Sequence, residues 1–289
     1  MLQNTDTKGF VEFPAPAKLN LMLRVIGRRA DGYHQLQTVF RFIDFADTVA
    51  LRLRRDGRVR RVGTVEGVAE DQDLTVRAAL ALKQATATHW GVDIRVTKRL
   101  PMGGGLGGGS SDAATVLLAL NQLWQTGLDR QQLEALALPL GADAPVFIYG
   151  QTAFAQGIGE ILSPWQADPA WYLVLVPPVL VSTVQIFQHP ELKRDSEPIK
   201  MDGFPDVVGN DLESLVCRLY PEVGAHLEYL RAAGIGGGQM SGSGACVFAA
   251  FPDQTSAIVA QARLPAGIQS YVCRGLDVHP LSGLVSDSD

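Results

Sequence analysis

Residues 101–124 of this chain, PMGGGLGGGSSDAATVLLALNQLW, contain the feature that says most about its fold. Six of the seven residues from Gly103 to Gly109 are glycine, and Ser110 and Ser111 lead from them into an apolar helical pattern. A glycine loses more backbone entropy on folding than any other residue, so a packed domain gains nothing from such a run. Free backbone N–H groups just before a helix N-terminus are suited to holding phosphates. The stretch therefore predicts a site for a nucleotide or another phosphorylated ligand.

Familiar phosphate-binding motifs do not fit this run. A Walker A loop ends in Gly-Lys-Ser/Thr, but Gly109 is followed by Ser110. The dinucleotide-binding motif directly follows a buried strand, whereas a charged link at 98–101 separates the run from the alternating strand Val92–Val96. A protein kinase of the eukaryotic type is excluded because no H-R-D or D-F-G sequence follows. A flexible linker is the other alternative, but linkers do not normally lead into a capped, amphipathic helix.

The composition limits the class of protein. With 289 residues, of which 46% are hydrophobic and 19% charged, the chain has material for two modest globular domains. The net charge of −5 argues against a protein that coats nucleic acid. The longest apolar run, Trp171–Val181, is too short to span a bilayer, and the N-terminus lacks the apolar core of a signal peptide. Three scattered cysteines without a C-x-x-C spacing indicate reduced thiols, and we expect a cytoplasmic protein.

Periodicity predicts a mixture of strands and helices. A half-buried strand is expected over Lys18–Val25, with Lys18 and Asn20 on one face. A second strand follows from Tyr33 to Phe45, and Asp56-Gly57 predicts a tight turn at the centre of a hairpin over Val49–Val65. Further strands are expected at Val92–Val96, Ala144–Tyr149, Gln151–Ala155, Trp171–Val176, Ala245–Phe251 and Ser270–Gly275, and helices at 73–90, 111–126, 129–138, 211–219, 221–233 and 254–262. Asp73 is the expected N-cap of the first of these helices, and Asp129 is the expected N-cap of the third.

The predicted domain boundary is the polar, proline-containing segment Ser163–Pro169. It divides the chain into residues 1–163, with the first glycine-rich run, and residues 164–289, with a second one at Gly234–Gly244. The stretch from Pro177 to Asp206 is expected to be poor in helix.

Six arginines lie in the predicted hairpin, at positions 52, 54, 55, 58, 60 and 61. They have two interpretations: a patch that binds RNA or phosphate, and an ordinary solvated strand face. The chain as a whole is acidic and few aromatic residues lie among these arginines, so the solvated face is favoured.

Four sequence elements together carry a family resemblance. Pro16–Asn20, Pro101–Ser111 and Met240–Gly244, with Asp143, resemble the three conserved motifs of the GHMP kinases, the family of galactokinase, homoserine kinase and mevalonate kinase. The resemblance implies a two-domain α+β fold. Its N-terminal domain would be similar to domain 2 of ribosomal protein S5, its C-terminal domain would be an α/β sandwich, and ATP and substrate would lie in the cleft between the two.

The resemblance also implies roles in phosphoryl transfer, a reaction that needs charge neutralisation and an activated acceptor hydroxyl. The aspartate that matches Asp143 accepts or polarises the proton of the substrate hydroxyl, and the lysine that matches Lys18 lies beside it and stabilises developing charge. ATP and Mg²⁺ would be the cofactors, and Ser111 would reach the metal by analogy with relatives, although no carboxylate ligand is identified. Asp112 is interpreted as a helix cap. The expected ATP-binding residues are Pro101, Met102, Gly103, Gly104, Gly105, Leu106, Gly107, Gly108, Gly109, Ser110 and Ser111.

Within the family, the strings PAKLNLMLRVIGRRADGYHQLQTVF from Pro16 and LGADAPVF from Leu140 are most similar to kinases that act on a cytidine diphosphate derivative of methylerythritol. By that resemblance Tyr33 stacks on the cytosine, His34 hydrogen-bonds it, and Phe187 forms the opposite wall. Asn20, Ser241, Gly242 and Ser243 would complete the substrate site.

Two alternatives stay open. One is another small-molecule kinase of the family, of the homoserine or mevalonate type, against which the DGYH sequence at 31–34 argues. The other is a non-catalytic nucleotide- or RNA-binding module, which would use the arginine hairpin and would not retain both Lys18 and Asp143. We expect a monomer or weak homodimer with a small-molecule substrate and with no nucleic-acid or membrane partner.

Overall fold

A computed structural model describes residues 4–5, 9–64, 67–199, 209–232 and 237–287 of the chain. Within these residues the strands are β1 (Asn4–Thr5), β2 (Val11–Arg28), β3 (His34–Arg54), β4 (Val59–Arg61), β5 (Gly91–Thr97), β6 (Ala153–Gly157), β7 (Ile161–Pro164), β8 (Trp171–Leu175), β9 (Gly209–Asn210), β10 (Gln239–Met240), β11 (Val247–Phe251) and β12 (Ser270–Leu276). The helices are α1 (Leu74–Thr86), α2 (Gly108–Leu123), α3 (Arg130–Ala137), α4 (Ala144–Tyr149), α5 (Thr183–Gln188), α6 (Glu213–Leu219), α7 (Pro221–Ala232) and α8 (Gln254–Gln261). Residues 234–236 of the second glycine-rich loop lie outside the described part.

Two long antiparallel strands, β2 and β3, form the spine of the sheet. They pair from Val11 opposite Leu51 to Arg28 opposite His34. Beyond β2, β3 also pairs with β6 near its start, with β12 near its middle and with β5 near its end. β12 continues through β8 and β11 to β10, so one sheet joins the N-terminal and C-terminal halves of the chain.

The spine is bent where the predicted site residues lie. Register shifts occur in β2 between Pro16 and Ala17 and between Asn20 and Met22. Such bulges re-aim side chains and end strict alternation. Lys18 and Asn20 do share a face, as predicted, but both are buried, so the prediction of a half-buried strand is wrong. The strand is covered on both sides because the glycine-rich run packs over this face.

Apolar side chains form two main cores on either side of the site. In the first, α1, α2, α3 and α4 pack against β2, β3 and β5, and α2 is buried on almost every side. In the second, α6, α7 and α8 pack around β8 and β11. Leu281 and Val285, near the end of the chain, belong to the first core. The division at 163/164 remains a prediction.

Two secondary-structure predictions are wrong, and a third needs comment. β3 runs without a break through Phe45 to Arg54, and β4 pairs in parallel with β5 instead of folding back on β3, so no hairpin forms around Asp56-Gly57. The segment 144–149, predicted as a strand, is the helix α4. A run that is buried on all sides lacks the periodicity that separates helix from strand, so the sequence pattern did not distinguish the two. The stretch expected to be poor in helix holds one six-residue helix in its described part, α5, where Ser182 accepts a hydrogen bond from the Gln185 N–H as its N-cap.

Helix starts were predicted better where an acidic cap is present. Asp73 accepts a hydrogen bond from the Thr75 N–H at the start of α1, and Asp129 forms a capping box with Gln132 at the start of α3. α2 differs, because it begins at Gly108, three residues earlier than expected, with Gly107 as its N-cap in a left-handed conformation.

His279 gives the fold a predicted pH dependence. Its Nδ1 accepts a hydrogen bond from the Leu281 N–H at 3.1 Å, and burial lowers the pKa of the imidazole to about 3. As the pH falls through 6.5, His279 is therefore protonated in the unfolded chain but stays neutral in the folded chain. The contribution of His279 to the free energy of unfolding is fully present above pH 6.5, and about 1.4 kcal/mol is lost per pH unit as the pH falls from there toward about 3.

The test is the variant His279→Asn, whose amide oxygen takes the place of Nδ1. We expect denaturant unfolding to show wild type losing about 1.4 kcal/mol more than the variant between pH 7.5 and 5.5. Equal losses would show that His279 is protonated in the folded chain.

No helix in the described ranges combines the length and the apolar character needed to cross a membrane.

Candidate active site

A cavity of about 990 Å³ lies between the two cores. Its walls include nearly all of the residues singled out in the sequence. Those that line it are Lys18, Asn20, Tyr33, His34, Pro101, Met102, Gly103, Gly104, Gly105, Leu106, Gly107, Gly108, Gly109, Ser110, Asp143, Phe187, Gly242 and Ser243. Ser111 and Ser241 do not; both are fully buried behind the wall. The fold therefore brings residues from six separate segments to one cavity.

The glycine-rich run curves around one end of the cavity. Gly103, Gly105 and Gly107 have positive φ values of 64°, 72° and 71°, and the residues between them do not. Alternation of left- and right-handed conformations makes a concave row of backbone N–H groups that attracts anions. The N-terminus of α2, a 16-residue helix, follows at once and adds its positive end. This arrangement supports the prediction of a phosphate site.

The second glycine-rich segment holds the first in place. The carbonyls of Gly103 and Gly104 accept hydrogen bonds from the N–H groups of Ala245 and Cys246 at 3.2 and 3.1 Å. A side chain at Gly105 would place its Cβ 2.1 Å from the Ser241 carbonyl oxygen, so only glycine permits this approach. The loop carbonyls are thus used in bonds to the protein, whereas no N–H group from Gly103 to Gly107 donates a hydrogen bond within the described residues.

Lys18 and Asp143 form an ion pair with 3.0 Å between Nζ and Oδ2. The Lys18 side chain is 2% exposed, whereas that of Asp143 is 35% exposed and open to the cavity. The Lys18 ammonium also donates to Asn20 Oδ1 at 2.6 Å and to the Gly105 carbonyl at 3.0 Å. These three contacts match the three donors of an ammonium group, so Lys18 is held in one position.

Asn20 is itself held by neighbours. Its amide nitrogen Nδ2 donates to Thr38 Oγ1 at 2.8 Å, and the Thr38 hydroxyl donates to the Met22 carbonyl. This chain of donors turns the Asn20 oxygen toward Lys18. Ser241, which was expected to contact substrate, instead accepts from the Asn20 N–H at 3.2 Å and donates to the Gly105 carbonyl at 3.0 Å. Ser243 reaches the cavity, where its hydroxyl lies 2.7 Å from that of Thr183.

The two serines that end the glycine run have different surroundings. Ser110 is half-buried and lines the cavity. The Ser111 hydroxyl donates to the Pro16 carbonyl at 2.7 Å and is fully buried, so it does not line the cavity. The expectation that Ser111 reaches a metal or ATP is therefore not supported by its position; Ser110 is the serine of the run that lines the cavity.

Asp112 does not cap α2, contrary to the prediction, because it lies in the second turn of the helix. It pairs with Lys98 at 2.8 Å, and Lys98 also contacts the fully buried Asp47. Burial and the nearby Asp47 raise the pKa of Asp112 to about 7, against the opposing effect of Lys98. Burial opposes the charge of Lys98, but the two carboxylates outweigh it and raise the pKa of the lysine. The cluster ties the strand before the glycine run to the helix after it.

Three ring side chains, those of Tyr33, His34 and Phe187, also line the cavity, and they are called the aromatic end here. The rings of His34 and Phe187 are 5.1 Å apart between centroids, at an interplanar angle of 36°. Tyr33 is 58% exposed and also lines the cavity. The three side chains come from the start of β3 and from α5, which the fold brings together across the sheet.

In the described part of the chain, three of the six arginines at 52–61 form ion pairs with aspartates of the same domain surface. Arg52 and Arg54 contact Asp93 at 2.7 and 2.8 Å, and Arg61 contacts Asp73 at 3.1 Å. These contacts are those of a paired strand surface, as favoured from the sequence.

Sequence reasoning missed Thr38, Lys98 and Thr183 as parts of the site. Thr38 and Thr183 carried no local signal. Lys98 was visible as a charge beside the glycine run, but only the fold shows that it bonds Asp112.

Comparisons with known proteins identify the family. The family models described as GHMP kinases N terminal domain and GHMP kinases C terminal match residues 73–151 and 201–268. A protein of Thiobacillus denitrificans named 4-diphosphocytidyl-2-C-methyl-D-erythritol kinase is 59% identical over 276 residues, which cover 95% of this chain and 99% of the relative. A protein of the same name from Nitrosospira multiformis is 54% identical, over 96% of this chain and 95% of its own length.

Solved structures show the same fold. A crystal structure of 4-(cytidine 5'-diphospho)-2C-methyl-D-erythritol kinase matches with a TM-score of 0.80 and 35% identity, over 91% of this chain and 98% of that one. Homoserine kinase from Cytophaga hutchinsonii matches with a TM-score of 0.67 and 19% identity, over 96% and 98% of the two chains, and shares the fold alone. The two-domain α+β fold implied by the sequence motifs is confirmed. The chain belongs to the GHMP kinases and, within them, to the 4-diphosphocytidyl-2-C-methyl-D-erythritol kinases.

Proposed function

We propose that this chain transfers the γ-phosphoryl group of ATP to the 2-hydroxyl of 4-diphosphocytidyl-2-C-methyl-D-erythritol, a step of the non-mevalonate route to isoprenoid precursors. The observation that carries the proposal is the 3.0 Å pair of Lys18 and Asp143 in the cavity that also includes the glycine run and the aromatic end. A non-catalytic module has no use for a buried lysine that holds a solvent-accessible carboxylate at such a place.

Asp143 is proposed to take the proton of the acceptor hydroxyl. As the hydroxyl oxygen forms its bond to the γ-phosphorus, the bond from that phosphorus to the oxygen of ADP breaks, and the proton passes to the Asp143 carboxylate. Lys18 is fixed by Asn20 and Gly105, so its ammonium orients Asp143 and faces the developing charge. Gly242 lies close to Asn20 and Lys18, since a Cβ at this position would be 3.1 Å from Asn20 Oδ1 and 3.4 Å from Lys18 Nζ.

The glycine run is proposed to hold the phosphates of ATP. Its row of N–H groups and the N-terminus of α2 supply fixed positive dipoles that need no rearrangement during the reaction. Gly242 and Ser243 line the cavity beside this run and are proposed to contact the phosphates or the methylerythritol end of the substrate.

This site suits a magnesium ion that is held mainly by the phosphates of the nucleotide and by water. The described residues include no group of three or more His, Cys, Asp or Glu side chains suited to a metal. Mg²⁺ commonly keeps several waters and binds substrate phosphates with few protein ligands, and the Ser110 hydroxyl on the cavity wall would serve as one. The ion supplies charge neutralisation on the phosphates.

The cytosine is proposed to stack against Tyr33 and Phe187 and to hydrogen-bond His34. Tyr33→Ala and Phe187→Ala should each raise KM for the cytidine substrate by roughly 5- to 150-fold, because base stacking is worth about 1–3 kcal/mol. Initial-rate kinetics should show KM for ATP nearly unchanged. The control is Leu219→Ala, which removes an exposed apolar side chain that does not line the cavity. It should change neither KM value. A rise confined to KM for ATP would place the base pocket elsewhere.

The remaining expectations about partners and location also stand as proposals. Cys217, Cys246 and Cys273 form no disulfide, which suits a reducing compartment such as the cytoplasm. Burial raises the pKa of the Cys246 and Cys273 thiols to about 12. We propose a monomer or weak homodimer whose partner is the small-molecule substrate, without nucleic acid or membrane.

A further inference from the structure

Arg194 joins the two sides of the aromatic end of the cavity. It is half-buried, and its guanidinium group donates to the carbonyls of Leu192, Phe187 and His189 at 2.9, 3.0 and 2.7 Å. Its remaining bond is different in kind, since Nε donates to Nε2 of the His34 ring at 3.0 Å. Arg194 thus donates hydrogen bonds to α5, to the turn after it, and to one ring nitrogen at the start of β3.

This bond fixes the state of the His34 ring. An arginine only donates, so Nε2 of His34 must be the acceptor, and a neutral imidazole that accepts at one nitrogen carries its proton on the other. His34 is therefore a neutral ring with its proton on Nδ1, which has no hydrogen-bond partner among the residues that the structure describes. Burial, together with the positive charges of Arg194 and Arg28, lowers the pKa of His34, in agreement with a neutral ring.

A ring of this kind distinguishes two bases of the same shape. Cytosine presents acceptors at O2 and N3, whereas uracil presents an N–H donor at N3. A fixed Nδ1–H donor that faces position 3 forms a hydrogen bond with cytosine and meets another donor in uracil, which leaves two polar groups unpaired.

We propose that Arg194 is the positioning residue that makes the pocket prefer cytosine over uracil, by holding His34 as a donor at Nδ1. The inference rests on the proposed assignment of Tyr33, His34 and Phe187 to the base. Arg194 acts through His34 and need not touch substrate.

The test compares kcat/KM for the cytidine diphosphate and uridine diphosphate esters of methylerythritol at saturating ATP. Both substrates use the same catalytic groups, so the ratio of their kcat/KM values reports the recognition of the base alone. Wild type should prefer the cytidine ester by about 10-fold or more at pH 8.

Arg194→Met frees His34 to place its neutral proton on Nε2. At pH 8 we expect its preference to fall to about 2-fold or less. A purely structural defect would lower kcat/KM for both esters alike and would leave the ratio between them unchanged.

Two further variants complete the design. Arg194→Gln keeps an N–H donor at the position of Nε and should retain most of the preference at pH 8. Arg218→Met removes an exposed arginine that pairs with Glu191 at 2.9 Å, and should match wild type throughout.

Nitrogen-15 NMR of the wild-type imidazoles reads the tautomer directly and does not depend on any variant folding. A proton on Nδ1 of His34 is expected; a proton on Nε2, or a charged ring at pH 8, overturns the inference. An unchanged ratio in folded Arg194→Met also overturns it while the kinase activity stands. Absence of phosphoryl transfer to the cytidine ester by wild type would instead overturn the proposed function.

Discussion

Asp143→Ala is expected to slow turnover by about 10²–10⁴-fold, because it removes the group that takes the hydroxyl proton. Asp143 lies on the cavity surface and caps no helix by its side chain, so its loss should leave the fold intact. ATP affinity should change little, since the carboxylate is assigned to the acceptor. Steady-state rates and calorimetric ATP binding measure the two effects separately.

Lys18 shares this prediction through its contacts. Lys18→Met removes the ammonium that holds Asp143 at 3.0 Å and should cost a similar factor in turnover. The control is Asp56→Ala, which breaks an exposed ion pair with Arg54 and should retain wild-type rates. Near-normal turnover in a folded Asp143→Ala or Lys18→Met variant would remove the pair from the mechanism.

Gly107→Ala should have the second largest effect. Gly107 has a φ of +71°, a conformation that costs a residue with a side chain about 1–2 kcal/mol. Its Cβ would lie 3.1 Å from Lys18 Cε and 3.1 Å from the Phe147 ring. The substitution therefore disturbs the phosphate cradle and the catalytic lysine together, and we expect about a 10²-fold loss of turnover with weaker ATP binding.

Gly109→Ala is the matched control, two residues further along. Gly109 is helical, and a Cβ there would make an ordinary 3.4 Å contact with Leu74. ATP affinity by calorimetry and turnover should stay close to wild type. Equal behaviour of the two variants would mean that the positive φ and the closeness to Lys18 do not matter for catalysis.

The local sequence predicted the parts of the site that depend on local chemistry. A glycine run before a helix indicates a phosphate cradle because only glycine adopts alternating positive φ without strain. Asp73 and Asp129 marked helix starts because a cap acts within three residues. The pairing of Lys18 with Asp143 came from the family resemblance, since no local pattern joins residues so far apart.

The errors have a common physical origin. α4 was taken for a strand because burial on all sides erases periodicity, and the hairpin at Asp56-Gly57 was wrong because β5, from later in the chain, pairs with both β3 and β4. Asp112 was assigned to a cap because its neighbour Lys98 is brought to it only by the folded sheet. Each outcome was decided by a tertiary contact.

The most direct test of the account is to follow ADP formation and the phosphorus NMR spectrum of the product with a panel of acceptors. We expect rapid turnover of 4-diphosphocytidyl-2-C-methyl-D-erythritol, with one new phosphomonoester signal. Methylerythritol phosphate, which lacks the cytidine, should be poorer by at least the roughly 5- to 150-fold that base stacking supplies, and homoserine and mevalonate should be inert. Efficient phosphorylation of homoserine or mevalonate, or ADP release without a phosphorylated acceptor, would contradict it.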